Sequence, residues 1–162
     1  MEEIRQTHEF GPVYDAEAKI LILGSFPSVK SREVQFYYGH PQNRFWKVLG
    51  RLYEEEVPQD ISGKKEFLKR HGIALWDVIE SCEITGSSDS SIKNVVPNNP
   101  MDFLEKTKIT KIYTNGKTAE KLYRKYVEPM TGIKTVGLPS TSPANAAFSL
   151  ERLLESWKVI LE

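Results

Sequence analysis

Aromatic and polar side chains crowd residues 36–46, where the sequence FYYGHPQNRFW sets a histidine and an asparagine among five aromatic residues. Aromatic rings suit a planar ligand that stacks on them, and an imidazole or an amide can bind the polar edge of such a ligand. Some of these rings could equally belong to the core. The stretch predicts a binding site for a planar ligand around His40 and Asn43.

Positive charge accompanies these rings. Four basic residues lie in or near this stretch of sequence, and the only acid among them is Glu33. The basic residues are Lys30, Arg32, Arg44 and Lys47. Basic residues interleaved with aromatic residues suit a flipped or single-stranded base. The whole chain carries 22 basic and 22 acidic side chains, which excludes a protein that coats nucleic acid through bulk charge. Local phosphate binding remains compatible with this balance.

The segment TNGKT, residues 114–118, resembles the tail of a phosphate-binding P-loop. The full motif needs a glycine at the position that Lys111 occupies, so a nucleotide triphosphatase is excluded. Asn115 is then either an ordinary turn residue or a ligand-binding residue.

The segment PSTSPAN, residues 139–145, could serve a small serine hydrolase through Ser140 or Ser142. It has no G-x-S-x-G motif and no neighbouring histidine, so the support is weak. The alternative is a turn with two prolines that caps the last helix through Ser142 or Asn145.

Metal and cofactor chemistry has little support in the sequence. The three histidines are scattered, and the single cysteine, Cys82, excludes a disulfide framework and is expected to be a small apolar core residue. No metal and no cofactor is therefore expected. The N-terminal residues show no signal peptide and no apolar run has the length of a membrane span, so a soluble cytoplasmic protein is expected.

A buried strand must position the aromatic stretch. Residues 19–24, KILILG, form a short apolar run that ends in a Ser-Phe-Pro-Ser turn, which is typical of a strand buried on both faces of a parallel sheet. Further strands are expected at residues 73–78, 111–114 and 133–138, with a short edge strand at 10–14. Helices are expected at residues 43–53 with Asn43 as the N-cap, at 62–72 with Ser62 as the N-cap, at 100–106, at 118–126 and at the C-terminal end.

This alternation predicts an α/β fold, a three-layer sandwich in which helices flank a central, mainly parallel four-stranded sheet, in one domain over residues 1–162. In such sheets ligands bind outside the carboxyl ends of the strands. Residues 24–43 and 139–145 follow strands, so they are expected to border one crevice. A polar loop expected at 81–91 also leaves the carboxyl end of a strand and is therefore expected to be ordered.

Four segments carry a resemblance to a known family: ILGSFPS at 22–28, FYYGHPQNRFW at 36–46, NGK at 115–117 and LPSTSPAN at 138–145. LWDVI at 75–79 and GSSDSSI at 86–92 support it. Together they resemble the uracil-DNA glycosylase superfamily, and most closely its branch of DNA-deoxyinosine, or hypoxanthine-DNA, glycosylases.

One departure from the family pattern bears on the substrate. The thymine and mismatch-specific uracil glycosylases carry Gly-Ile-Asn-Pro-Gly after the first strand, and its Asn positions the attacking water. Here Phe26 stands where that Asn would be. An Asn before Phe-Trp is retained as Asn43, and the resemblance to the deoxyinosine branch implies that Asn43 is catalytic. Efficient excision of uracil is correspondingly disfavoured.

The resemblance also implies two further sets of site residues. The implied base pocket comprises Gly24, Ser25, Phe26, Tyr38, His40, Phe45 and Asn115. Phe26 or Phe45 is expected to stack on the base and Asn115 to bind its polar edge. The implied DNA-binding residues are Pro27, Ser28, Lys30, Arg44, Lys117, Ser140, Thr141, Ser142 and Pro143. Asp89 either lines the mouth of the site or caps a turn.

The function implied is that of a monofunctional DNA glycosylase of base excision repair. It would flip a deaminated base, hypoxanthine first and uracil or xanthine next, and hydrolyse its N-glycosidic bond with a water positioned by Asn43. The expected partner is double-stranded DNA with a damaged or mismatched base, bound by a monomer without a membrane. The alternatives are a mismatch-specific uracil glycosylase and, from another class, a non-enzymatic module that binds a nucleotide or nucleic acid.

Overall fold

The computed structural model describes residues 4–7, 10–26, 29–84 and 92–162, with the side chains of 4–7, 29, 30 and 84 left aside. Its centre is a sheet of four parallel strands in the order β3-β2-β6-β7. These strands are β2 Ile20–Gly24, β3 Ile73–Asp77, β6 Lys111–Asn115 and β7 Thr135–Leu138. The expected parallel four-stranded sheet is therefore confirmed.

Strand β2 lies in the middle of the sheet because its side chains are apolar on both faces. All five of its residues are buried. Ile20 and Ile22 pack into one core cluster, and Leu21 and Leu23 pack into another on the opposite face, as the alternation of side chains along a strand requires. Both faces of the sheet are thus covered, which is the three-layer arrangement expected from the sequence.

Three helices cover the face of the sheet to which Ile20 and Ile22 point. They are α2 Phe45–Leu52, α3 Ile61–Arg70 and α7 Leu150–Trp157. Helix α2 begins two residues after Asn43, whose Oδ1 still accepts a hydrogen bond from the first helical N–H. The expectation that Ser62 caps α3 is wrong. Asp60 is the N-cap, because its carboxylate accepts a hydrogen bond from the N–H of Gly63.

Shorter helices cover the opposite face of the sheet, to which Leu21 and Leu23 point. Helix α4 is Met101–Leu104, and helix α5 Lys117–Leu122 continues through a π-helical turn, Tyr123–Val127, into helix α6 Glu128–Thr131. One further helix, α1 Val29–Val34, lies in the segment that was expected to be a loop. The chain ends in a 3-10 turn, Lys158–Leu161.

A second sheet was not expected from the sequence. Strands β1 Ile4–Thr7, β4 Ile79–Ile84 and β5 Lys93–Pro97 form an antiparallel sheet in the order β1-β4-β5. Residues 81–84, assigned to a polar loop, belong to β4 instead, because Cys82 is fully buried in the second core cluster. The rest of that expected loop, 85–91, lies outside the described residues.

The expected edge strand at residues 10–14 is also wrong. This segment makes one isolated antiparallel bridge, between Val13 and Leu75, instead of a strand. Within the described part of the chain, no helix combines the length and the apolar character that crossing a bilayer requires.

Candidate active site

The carboxyl ends of the four parallel strands lie together at one end of the sheet, which is called its carboxyl edge below. Gly24 at the end of β2 is in register with Asp77 at the end of β3, and Asn115 at the end of β6 is in register with Leu138 at the end of β7. The segments that follow these strands therefore meet at this edge, as the crevice rule for open α/β sheets predicts.

At this edge Thr141 joins the two asparagines that the sequence singled out. The Thr141 hydroxyl donates a hydrogen bond to Oδ1 of Asn43 over 2.8 Å and accepts one from Nδ2 of Asn115 over 3.0 Å. The backbone N–H of Thr141 donates to Oδ1 of Asn115, again over 3.0 Å. Asn43 and Asn115, expected to be the catalytic and base-binding residues, are thus held in one hydrogen-bonded network.

Thr141 itself is fully buried, with 0% of its surface exposed. The expectation that Thr141 contacts DNA is therefore wrong: its hydroxyl and its N–H are both occupied inside the protein. A threonine in a Ser- and Pro-rich segment gives no sign in the sequence of this internal role, because its partners come from distant parts of the chain.

Arg44 is likewise occupied by the protein. Its guanidinium donates to the backbone carbonyl oxygens of Phe148, Ser142 and Asn145, the last over 3.0 Å. Its backbone N–H also donates to the carbonyl oxygen of Thr141. The side chain therefore ties the start of α2 to the segment after β7, and its contact with a DNA phosphate stays a prediction.

Tyr38 and Phe45 form the aromatic part of the site. Their rings stack with centroids 3.9 Å apart. Phe45 is 0% exposed and also packs edge-on against Trp46 and Trp157, so it has no face to offer a base. The expectation that Phe45 stacks on a base is wrong, and its ring instead supports Tyr38.

The backbone of Tyr38 adopts the left-handed conformation, with φ of 54°. A bulky residue reaches this region only when its surroundings hold it there, and such strain clusters at functional sites. This conformation brings the Tyr38 hydroxyl close to Gly24, where a Cβ would lie 3.2 Å from it.

A buried carboxylate, that of Asp77, lies at the same place. The side chain is 3% exposed, and its Oδ1 would lie 2.5 Å from a Cβ on Gly24. Burial raises the pKa of Tyr38 well above its usual range, the charge of Asp77 raises it further, and the Asn115 side chain acts in the opposite direction. The hydroxyl makes no hydrogen bond within the described residues, and the phenol stays protonated.

Asp77 was not among the expected site residues. The available signal was an acid that ends a run of buried strand residues, in the segment LWDVI. A carboxylate in such a position is seldom buried without a role in the site or in the local hydrogen bonding.

The other expected base-pocket residues lie close to this edge. The N–H of Gln42 donates to Nδ1 of His40 over 3.1 Å, so a neutral imidazole carries its proton on Nε2. A cavity of about 820 Å³ opens beside His40, Tyr38 and Asn43 and continues along α2 past Lys47. Phe26 is half-buried and packs against the second core cluster, on the face of the sheet opposite to that of Tyr38.

The segment after β7 is held by its own side chains. Ser140 Oγ accepts from the N–H of Ser142, and Ser142 Oγ accepts from the N–H of Ala144 at the start of a 3-10 turn, Pro143–Asn145. Ser142 thus caps this turn, whereas Ser149 caps the last helix, α7. Ser140, Ser142 and Pro143 are half-buried.

The remaining expected DNA-binding residues fall into two groups. Lys117 is exposed at the first position of α5, directly after Gly116, whose φ of +100° favours glycine. Pro27 and Ser28 lie outside the described residues, as does the side chain of Lys30. Asp89, expected to line the mouth of the site or to cap a turn, also lies outside them.

Metal-ligating side chains are dispersed. In residues 10–26, 29–83 and 92–162, no group of three or more His, Cys, Asp or Glu side chains is arranged to hold a metal ion. The polar side-chain groups that the structure brings together at the site are amides, a phenol, an imidazole and a carboxylate.

The chain is similar to proteins of known family. It is 38% identical over 154 residues to a protein of Methanosarcina acetivorans named hypoxanthine DNA glycosylase, and the match covers 93% of this chain and 95% of the relative. A protein of Methanosarcina barkeri with the same name is 42% identical over 86 residues, which is 52% of this chain and 54% of the relative.

The fold is shared with a solved structure. A solution NMR structure from Methanosarcina acetivorans, described as a candidate uracil DNA glycosylase, superposes with a TM-score of 0.80, 37% sequence identity and 93% coverage of each chain. The family model of the uracil DNA glycosylase superfamily matches residues 12–160. The chain therefore belongs to the uracil DNA glycosylase superfamily.

Proposed function

We propose that this protein is a monofunctional DNA glycosylase that releases hypoxanthine from deoxyinosine in DNA, with uracil and xanthine as lesser substrates. One observation carries the proposal. Two asparagines bound to one threonine lie at the carboxyl edge of the sheet, in a chain 38% identical over 93% of its length to a protein named hypoxanthine DNA glycosylase.

Binding of the base would depend on Tyr38. Phe45 covers one face of the Tyr38 ring, so the other face is the one that can stack on an extruded base. Extrusion from the duplex costs a few kcal/mol and costs least at a mismatch, such as inosine opposite thymine. Stacking on a rigidly supported ring offsets part of that cost. Asn115, which has both an acceptor and donors, would bind the polar edge of the base.

The reaction would be hydrolysis of the bond between C1′ and the base nitrogen. Water adds to C1′, the electron pair of the breaking bond moves into the base, and protons exchange with solvent. The transition state resembles an oxocarbenium ion, so the enzyme needs a held water and donors for the charge that grows on the base. Asn43 is the residue proposed for this step, through the donors of its amide, because its Oδ1 already accepts two hydrogen bonds and has no lone pair left for the water. The expected positioning of the water by Asn43 is therefore not part of the proposal, and no Schiff base with a lysine is required.

DNA would lie along the edge of the sheet. The proposed phosphate contacts leave out Thr141, which is fully buried, and keep Arg44, whose half-buried side chain also bonds to the protein. Lys117 offers an exposed ammonium group there, and Ser140 and Ser142 offer half-buried hydroxyls. Pro27, Ser28, Lys30 and Pro143 stay proposed contacts from the sequence. The partner is a damaged or mismatched duplex, the protein acts as a monomer, and it works in the compartment that holds the DNA.

A uracil glycosylase is the second candidate, because the NMR structure at 37% identity is described as a candidate uracil DNA glycosylase. Phe26 in place of the usual Asn favours hypoxanthine over uracil.

Base release from a panel of labelled duplexes tests the proposal. Each duplex contains inosine, uracil, xanthine or ethenoadenine opposite one of several bases, and alkali then cleaves the abasic sites. We expect release from the inosine duplexes and loss of that release in Asn43→Ala, which keeps the fold and most DNA binding. Release of uracil alone would favour the second candidate. Binding without release from any duplex would contradict the enzyme assignment and support a binding module.

A further inference from the structure

The carbonyl oxygen of Asn43 is already occupied. Oδ1 accepts one hydrogen bond from the backbone N–H of Phe45 over 2.9 Å and another from the Thr141 hydroxyl over 2.8 Å. An amide oxygen has two lone pairs, so it has no further site for a strong hydrogen bond.

The direction of every hydrogen bond in the network is fixed by backbone groups. The N–H of Phe45 can only donate, so Oδ1 and not Nδ2 of Asn43 must face it. The N–H of Thr141 likewise requires Oδ1 of Asn115, which turns Nδ2 of Asn115 toward the threonine oxygen. The single hydroxyl proton of Thr141 then points at Asn43.

The amide nitrogen of Asn43 is the part of the side chain that the network does not use. Within the part of the chain that the structure describes, Nδ2 of Asn43 makes no hydrogen bond. Asn43 lines the cavity of about 820 Å³ and is only half-buried. The group that Asn43 can present to a ligand is therefore an NH₂ donor.

We propose that Thr141 is a positioning residue that fixes the amide of Asn43 with its NH₂ toward the substrate, so that Asn43 acts as a hydrogen-bond donor to the departing base. The proposal rests on the proposed glycosylase function. A donor held in place before the reaction stabilises the negative charge that develops on the base as the bond to C1′ breaks. Asn43 transfers no proton and forms no covalent bond in this step.

Thr141 cannot reach the substrate, because 0% of its surface is exposed. Its effect on the reaction must pass through Asn43 and Asn115. The same hydroxyl contacts both amides, so its removal takes one hydrogen bond from each. Asn43 is then held only by the N–H of Phe45, and Asn115 only by the N–H of Thr141. This distinguishes Thr141 from Ser140 and Ser142, whose hydroxyls accept from backbone N–H groups of their own turn.

Two substitutions separate this role from a purely structural one. Thr141→Val keeps the volume and removes the hydroxyl, and Thr141→Ser keeps the hydroxyl. We expect Thr141→Val to lower the single-turnover rate of hypoxanthine release by about 10- to 100-fold. This is less than the roughly 10²- to 10³-fold that loss of a well-placed donor costs, because Asn43 keeps its NH₂ and its bond to Phe45. The Kd for inosine-containing DNA should change by less than about threefold, and Thr141→Ser should retain most of the rate. A wild-type rate in Thr141→Val, or an equal loss in a folded Thr141→Ser, would overturn the proposal.

Asn43→Asp tests the donor directly. Aspartate keeps an oxygen for Phe45 and Thr141 but puts a second oxygen where the NH₂ lies. We expect hypoxanthine release as low as in Asn43→Ala. A rate equal to or above that of the wild type would mean that the reaction needs an acceptor at this position, and the donor assignment would be wrong.

The positioning can also be tested without catalysis. In ¹H–¹⁵N spectra of the whole protein, Thr141→Val should shift the side-chain NH₂ resonances of both Asn43 and Asn115, whereas Thr141→Ser should leave them close to their wild-type positions. Unshifted resonances in Thr141→Val would contradict the network. If the wild type releases no base from any duplex, the proposed function fails, and these spectra still decide whether Thr141 fixes the two amides.

Discussion

The guanidinium of Arg44 donates a hydrogen bond over 3.0 Å to the backbone carbonyl oxygen of Asn145, a residue 101 positions later in the chain. The two residues belong to different segments of the site, since Arg44 precedes α2 and Asn145 ends the 3-10 turn after β7. Arg44 therefore determines how the segment carrying Thr141 lies against the segment carrying Asn43.

Replacement of Arg44 should loosen this junction. We expect Arg44→Met to lower the free energy of unfolding by about 1–3 kcal/mol, because three partly buried carbonyl oxygens lose a charged donor. Arg44→Lys should restore little, since one ammonium cannot reproduce the fork of the guanidinium. Urea titration measures the change. The control is Arg51→Met, which replaces an exposed arginine within α2. A role in phosphate binding alone would instead leave stability unchanged and weaken DNA binding.

Lys117 should contribute to DNA binding through phosphate. Its exposed ammonium stands at the start of α5, at the edge of the sheet where the site lies. We expect Lys117→Met to reduce the slope of log K against log salt concentration by about one unit for each phosphate that the variant no longer binds. Lys69→Met in α3 is the matched control, because this exposed lysine lies near the opposite edge of the sheet. Equal slopes in Lys117→Met and the wild type would place the DNA elsewhere.

Stability should fall in alkali because several tyrosines are buried as neutral phenols. Burial raises the pKa of each of Tyr37, Tyr38, Tyr53, Tyr113 and Tyr123 above the usual value. The folded state then holds protons that the unfolded state releases above about pH 10. Their stabilising contribution is complete below that pH and is lost as the pH rises toward the folded-state pKa values.

Thermal unfolding between pH 8 and pH 12, with phenolate absorbance followed at 295 nm, measures this loss. Tyr38→Phe should flatten the fall at high pH and cost little at neutral pH, since the hydroxyl makes no hydrogen bond within the described residues. A constant melting temperature up to pH 12 would show that these phenols ionise equally in the folded and unfolded states.

Gly24 should not tolerate a side chain. A Cβ there would lie 2.5 Å from Oδ1 of Asp77 and 3.2 Å from the Tyr38 hydroxyl. We expect Gly24→Ala to cost about 1–3 kcal/mol of stability through overpacking and to lower base release with it. Gly11→Ala, which meets nothing within 4 Å, should change stability by less than about 0.5 kcal/mol. Similar stabilities of the two variants in a urea titration would contradict the close packing at the end of β2.

The sequence predicted the central sheet well because its signals are local. The apolar run at residues 19–24 identifies a strand buried on both faces, and such a strand lies within a parallel sheet. The antiparallel sheet was missed because β4 follows β3 after a single residue, so that LWDVIESC reads as one strand and the start of a loop.

The sequence predicted which polar residues come together at the carboxyl ends of the strands, and only partly which contacts they make. Asn43, Asn115 and Tyr38 do meet at the edge of the sheet. Helical periodicity does not tell which aromatic residue faces a ligand, and Phe45 proved to be buried behind Tyr38. The partners of Arg44 and Thr141 are 98 or more residues away for several of their bonds, and no local pattern contains that information.

The sequence separation of 98 positions between Asn43 and Thr141 also bears on how the protein becomes active. Contacts of such sequence separation form late in folding, because closing a long loop costs chain entropy before the contact is made. During synthesis, Asn43 has no Thr141 to orient it until β7 and the residues after it have emerged from the ribosome. In refolding experiments, base release should recover together with docking of the C-terminal third of the chain, and after the bulk of the helical signal.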